Sequence, residues 1–188
     1  MTDATNPDST INSAIAVANW FIKMNHDDPS ELTHLKLHKL LYFAQGWRLA
    51  YFNFPLFEDP IEAWKYGPVV SSVYFALSSR KKKGVITDMI RGYFARGADY
   101  SLGTPEMEFH NDDIGDFMMS VWNSYSKKSA WELVATTHAK GSPWEKVANL
   151  SDSAEGDTDT EWYLGYVDRV IPVELMRAYF KSFLPGDN

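Results

Sequence analysis

The stretch from Thr33 to Phe52 constrains this chain most. Leu37, Leu40, Leu41, Ala44, Trp47 and Tyr51 recur at helical spacing, which predicts one long helix with these six side chains facing a core. A second stripe on the same helix reads Lys36, Lys39, Phe43 and Gly46, again three or four residues apart and therefore adjacent on the helix surface. A glycine inside a helix costs roughly 1 kcal/mol relative to alanine. At Gly46 the expected compensation is the close approach of another segment.

The segment after this helix suggests the visitor. "NFPLFEDP" is turn-rich, and "IEAWKYG" then reads as a short strand. Alternation puts Glu62, Trp64 and Tyr66 on one side, and Ile61, Ala63 and Lys65 on the other. Gly67-Pro68 is expected to end the strand and turn the chain into an apolar helix over Val69 to Leu77. The stripe on the long helix should receive the strand, with Glu62 paired to Lys39 or Lys36 and Trp64 packed near Gly46.

The remaining elements are also mostly helical. A first helix should start near Ser9 or Thr10 and set Ile11, Ile15, Ala18 and Ile22 on one face. Residues 80–110 carry repeated glycines and read as a variable loop or hairpin region, with "VIT" and "EMEFH" as candidate strands. Beyond Asn111, an apolar face of Ile114, Phe117, Met118, Val121, Trp122 and Tyr125 predicts another helix. Ser129 to Glu132 and Ser142 to Glu145 both fit the capping box, with Pro143 suited to a first helical position. "THAKG" between them reads as a helix end. "IPVELMRAYFKSFL" predicts a closing helix opened by Pro172. The expected fold is therefore mainly α, a compact helical domain with a few short strands or a small hairpin. It occupies residues 10–185 as a single domain, behind a flexible tail over 1–9.

The 188 residues include no cysteine, which excludes a disulfide scaffold, a thiolate metal site and a cysteine nucleophile. A polar, acidic start without a basic and apolar run lacks the form of a signal peptide, and the apolar run near Ala14 to Ile22 is too short to span a bilayer. A cytoplasmic protein with no membrane partner is expected. A net charge of −7 makes nucleic acid an unlikely partner class. The run Arg80 to Lys83 reads as a solvated loop or helix end. Two helices separated by a long link, with no basic recognition helix, argue against a DNA-binding repressor.

Candidate chemistry is sparse. No phosphate-binding glycine loop or nucleophile elbow is present. His34 and His38 lie one helical turn apart, but "HLKLH" lacks the metalloprotease glutamate and a third ligand, so they read as exposed helical histidines. The acidic loop 151–161 does not place its five acids at calcium-loop spacing. No cofactor or metal is expected. His138 can bind the last carbonyls of its helix, contact a partner, or act as an acid–base group with a carboxylate such as Glu62 or Glu132.

Three blocks carry a resemblance. "LKLHKLLYFAQGWRLAYFNFPLFEDPIEAWKYGPVVSSVY", "SAWELVATTHAKGSPWEKV" and "IPVELMRAYF" are similar to the Panacea-domain family, also described as phage-associated GepA-like or SocA-like proteins. In the second block Ser129, Leu133, Thr137, His138, Pro143 and Trp144 match the family pattern. His38 stands where relatives often have glutamine, and the Gly84 to Glu108 region is longer than the family minimum. The resemblance implies a mainly helical fold with a few short strands and no established catalytic activity. It implies an antitoxin, encoded on a prophage or mobile element, that neutralises a cognate toxin protein by direct binding. An adaptor presenting a client protein to a protease is the alternative, and an enzyme of unrecognised type is the second. Family-motif or partner-contact candidates are Lys36, Lys39, Tyr42, Gly46, Trp47, Glu62, Trp64, Gly67, Pro68, His138, Pro143 and Trp144.

Overall fold

The computed structural model describes residues 12–26, 31–78, 84–96, 99–109, 112–151 and 169–185. These form helices α1 (Ala14–His26), α2 (His34–Phe52), α3 (Ser71–Leu77), α4 (Asp112–Tyr125), α5 (Ala130–Thr137), α6 (Pro143–Ser151) and α7 (Val173–Lys181). Two antiparallel hairpins join them, β1 (Ile61–Trp64) with β2 (Gly67–Val70), and β3 (Gly92–Arg96) with β4 (Asp99–Gly103). The architecture is mainly α with short strands, as the sequence predicts. The N-terminal tail, Arg80 to Lys83 and the acidic stretch from Asp152 to Glu161 lie outside the described residues.

Helix α2 is the axis. Thr33 caps it, its side chain accepting from the Lys36 amide at 3.2 Å. Asn53, left-handed at φ 62°, ends it by donating its N–H to the Leu49 carbonyl. α1, α4, α5, α7 and β2 all pack against it, so 14 of its 19 residues are buried. The single core face predicted for it is thus replaced by burial nearly all round. Leu37, Leu40, Leu41 and Ala44 are buried and Trp47 half-buried, but Tyr51 is 61% exposed because it belongs to the last turn, at the edge of the core. Enclosure also buries polar side chains that a two-faced helix would leave wet. Gln45 answers this by fixing the loop beside it: its oxygen accepts from the Leu56 and Phe57 amides, and its nitrogen donates to the Phe57 carbonyl.

Helix α1 starts at Ala14 rather than near Ser9 or Thr10, which lie outside the described residues, as does Ile11. Its first turn is capped by Ser13, which accepts from the Ala16 amide, and by Asp59, which accepts from the Ala14 amide at 3.0 Å. The fully buried Asn19 donates to the carbonyls of Ile90 and Pro105 and accepts from the Ile90 amide. One side chain therefore ties the glycine-punctuated region to the core. The β3–β4 hairpin accounts for the hairpin expectation there. "EMEFH" forms no strand over its described residues, and Val85 makes only an isolated bridge with Thr33.

Gly67-Pro68 does not turn strand into helix. It opens β2, with Trp64 opposite Gly67 and Ala63 opposite Pro68, and α3 begins only at Ser71. The two-residue turn Lys65–Tyr66 makes the reversal. A proline is tolerated here because β2 is an edge of this two-stranded sheet, so one N–H can be absent, whereas β1 is bridged on its other side by Val170. The capping box at Ser129 and Glu132 is complete, with both reciprocal hydrogen bonds formed. At Ser142 only half forms, since Glu145 instead accepts from the Gly141 amide.

Candidate functional site

The N-terminal half of α2 lies beneath the β1–β2 hairpin. Lys39 is fully buried and donates from Nζ to the Pro68 carbonyl at 2.9 Å. Burial pulls its pKa down to about 7. Gly67 adopts φ +97°, and a Cβ there would lie 2.8 Å from Lys39 Cε and 2.9 Å from Thr137 Oγ1. Glycine is thus required twice at this position, for its backbone conformation and to let α2, β2 and α5 meet. Lys36 donates to the Ser126 carbonyl.

His38 is buried, not exposed as its sequence setting suggests, because the hairpin covers α2 on this side. Its Nδ1 accepts from the Val70 amide at 3.3 Å. Burial first, then the positive charges of Lys39 and His34, pull its pKa down to about 3. The ring is therefore neutral, with its proton on Nε2, and that atom has no hydrogen-bond partner among the described residues.

From the hairpin a run of rings leads to α6. Trp144 donates from Nε1 to the Trp64 carbonyl at 2.8 Å, and Trp64 donates from Nε1 to Glu62 Oε2 at 2.7 Å. Tyr74 packs edge-on against Trp64. His138 stacks parallel on Trp144, ring centroids 3.5 Å apart. Burial and the Lys39 charge hold His138 below its usual pKa, so a neutral imidazole faces the indole. Its backbone N–H, rather than its side chain, bonds the last turn of α5. Residues from the first two sequence blocks thus join in one frame.

The docking expected from sequence is corrected in two respects. Glu62 forms no ion pair with Lys39 or Lys36; each lysine reaches a backbone carbonyl, and Glu62 takes the neighbouring indole. Gly46 receives Phe180 of α7 instead of Trp64, and a Cβ there would overlap Phe180 Cε2, Cδ2 and Cζ. Phe180 also packs edge-on against Tyr42, Phe43 and Trp47, and Trp47 donates to the Tyr125 hydroxyl. Lys36, Lys39, Tyr42, Gly46, Glu62, Gly67, Pro68 and Pro143 are buried; Trp47, Trp64, His138 and Trp144 are half-buried. Among the described residues no carboxylate is bonded to His138, for Glu132 is held in its capping box and Glu62 by Trp64. No cluster of metal-ligating side chains occurs among the described residues, and no described helix is long and apolar enough to cross a membrane.

Two aromatic surfaces flank the frame. Beside the hairpin, Tyr66 is 55% and Trp131 63% exposed, and they meet edge to face with centroids 6.1 Å apart. On the far side of α2, a groove of about 180 Å³ is lined by Trp47, Tyr51, Phe117 and Tyr125 with two serines. Sequence reasoning misses Trp131, which reads there as a spacer in the capping box. The signal is available: Leu133, Val134 and Thr137 mark the inward face of α5, which leaves Trp131 pointing out.

Comparison with known proteins identifies the family. The family described as "Antitoxin SocA-like, Panacea domain" matches residues 37–145, spanning α2 to the start of α6. Antitoxin SocA of Caulobacter vibrioides (strain NA1000 / CB15N) is 35% identical over 136 residues, covering 72% of this chain and 70% of that protein. No solved structure matches the chain. With the matched segment holding the hairpin, the buried lysine and the histidine–tryptophan stack together, this chain belongs to the SocA-like Panacea-domain antitoxin family.

Proposed function

We propose that this protein is the antitoxin of a toxin–antitoxin pair, acting in the cytoplasm, and that it neutralises a separate toxin protein by direct contact, without catalysis. The observation that supports this most is the kinship with an antitoxin over most of the chain. The site's chemistry is consistent with it. Lys36, Lys39, Glu62 and Trp144 of the frame each make a hydrogen bond within the fold, and the exposed Tyr66 and Trp131 beside it are the kind of ring that anchors a protein partner.

The test is co-expression with the product of the adjacent gene. That product alone should arrest growth, and this protein should restore growth and co-purify with it in a stable complex. A harmless neighbour, or rescue with no complex, overturns direct neutralisation. Rescue accompanied by protease-dependent loss of the toxin would instead identify an adaptor.

A further inference from the structure

The exposed aromatic pair has an unusual electrostatic setting. Residues 127–146 together with Lys65 hold five lysines and two glutamates, in a chain whose net charge is −7. Both glutamates, Glu132 and Glu145, are turned onto backbone amides at helix starts. Lys65 lies 5.9 Å from the centre of the Tyr66 ring. Lys128 precedes α5 and Lys140 follows it, and both are exposed. Between them Trp131 and Ala135 of α5, and Ala139 just past its end, are exposed at spacings of four residues. The result is a projecting indole beside a shallow, small-residue helix face with positive charge at both ends.

We propose that this face, from Tyr66 across Trp131 and along α5, is where the toxin docks, and that the docking element is an acidic segment of that toxin carrying an apolar anchor. The proposal rests on the antitoxin reading above. Charge complementarity selects the occupant. A lysine-edged patch on an otherwise strongly acidic chain attracts a short acidic segment that stays within it. The net charge of −7 over the chain as a whole disfavours a nucleic acid. The rings supply the anchoring energy, since exposed Trp and Tyr at the centre of an interface dominate binding. The groove by Trp47 and Tyr51 has no charged side chain in its lining, so nothing there selects a partner.

The test measures complex formation between full-length variants and the neighbouring gene's product, by calorimetry across a salt series and by growth rescue. Trp131→Ala should weaken the complex by roughly 30-fold or more, as for a central aromatic anchor. Lys65→Glu combined with Lys128→Glu should weaken it about tenfold or more and flatten its salt dependence. Tyr51→Ala, in the other groove, should bind as wild type. Unchanged thermal midpoints for these exposed positions would show that the variants fold. If wild type binds but the Trp131 variant binds equally well, or Tyr51→Ala abolishes binding, the surface is wrong and the antitoxin reading stands. Loss on Trp131→Ala with lysine reversals that leave affinity and salt dependence unchanged overturns the acidic occupant. A single-stranded oligothymidylate binding this face more tightly than the toxin overturns it too. If wild type forms no complex, both proposals fall together.

Discussion

The two sides of α2 are sealed in opposite ways. On one, Gly46 makes a notch that a phenylalanine fills, surrounded by Tyr42, Phe43 and Trp47. On the other, Lys39 and His38 lie under a hairpin whose glycine just clears the lysine. The aromatic side gains from apolar area and ring geometry, which act alike at every pH up to the ordinary tyrosine range; above it the buried Tyr42 hydroxyl, whose pKa burial raises, makes stability fall. The polar side desolvates two titratable groups, and each hydrogen bond it makes offsets only part of that cost. Apolar stability is therefore concentrated on one side of the helix, and the pH sensitivity that sets in below the tyrosine range on the other.

The strongest way to break this contrast is Phe180→Ala. Emptying the notch should cost roughly 3–5 kcal/mol, as for other buried Phe to Ala changes, read from urea unfolding midpoints. Gly46→Ala should cost about 1–3 kcal/mol by overpacking. Its penalty should largely vanish in the Phe180→Ala background, because the methyl then has space; strictly additive losses would mean the two do not share the notch. Gly67→Ala, strained at positive φ and crowded by Lys39 and Thr137, should also lose about 1–3 kcal/mol.

On the polar side, Lys39→Met should be neutral or stabilising, since a well-packed apolar replacement of a buried charge often is. Wild-type stability should change with pH in a defined direction. Lys39 titrates near 7 when folded and 10.5 when unfolded. The unfolded chain therefore holds the extra proton between these values, and stability rises with pH across that window. His38, at about 3 folded against 6.5 unfolded, makes stability fall as pH drops from 6.5 towards 3. Lys39→Met should remove the alkaline rise and leave the acid loss. The smallest effect is expected at the exposed capping box. The Ser129 hydrogen bonds hold the Glu132 carboxyl below its usual pKa, so the stability it adds is lost as pH falls below the ordinary carboxylate range. Glu132→Gln should remove only that acid-side contribution.

Periodicity makes most elements legible. The long helix, the α4 face, the capping box and the helix opened by Pro172 each arise from spacing that local physics enforces. What spacing leaves open is the occupant of each face. Gly46 announces that something approaches closely, yet the sequence nearby offers a strand, and the actual visitor comes from a helix far along the chain. Glu62 and two lysines look like an ion pair, but the lysines reach backbone carbonyls and Glu62 takes an indole at one oxygen, leaving Oε1 without a partner among the described residues. His38 reads as exposed because its enclosure depends on a hairpin, and in that hairpin Gly67-Pro68 begins a strand where it suggests an end. The frame residues are legible through the family resemblance, whereas the exposed Tyr66–Trp131 pair is visible only once α5 and the hairpin turn are brought together.

The filling of the Gly46 notch also sets an order of assembly during synthesis. A nascent chain can form α2 and cover its polar side once residues through α6 have emerged, but the aromatic notch stays open until residue 180 is made. A ribosome stalled before that point presents Tyr42, Phe43 and Trp47 around an empty slot, an apolar surface for chaperones or proteases to engage. Docking of α7 withdraws it, so Phe180 decides whether that apolar surface is on view.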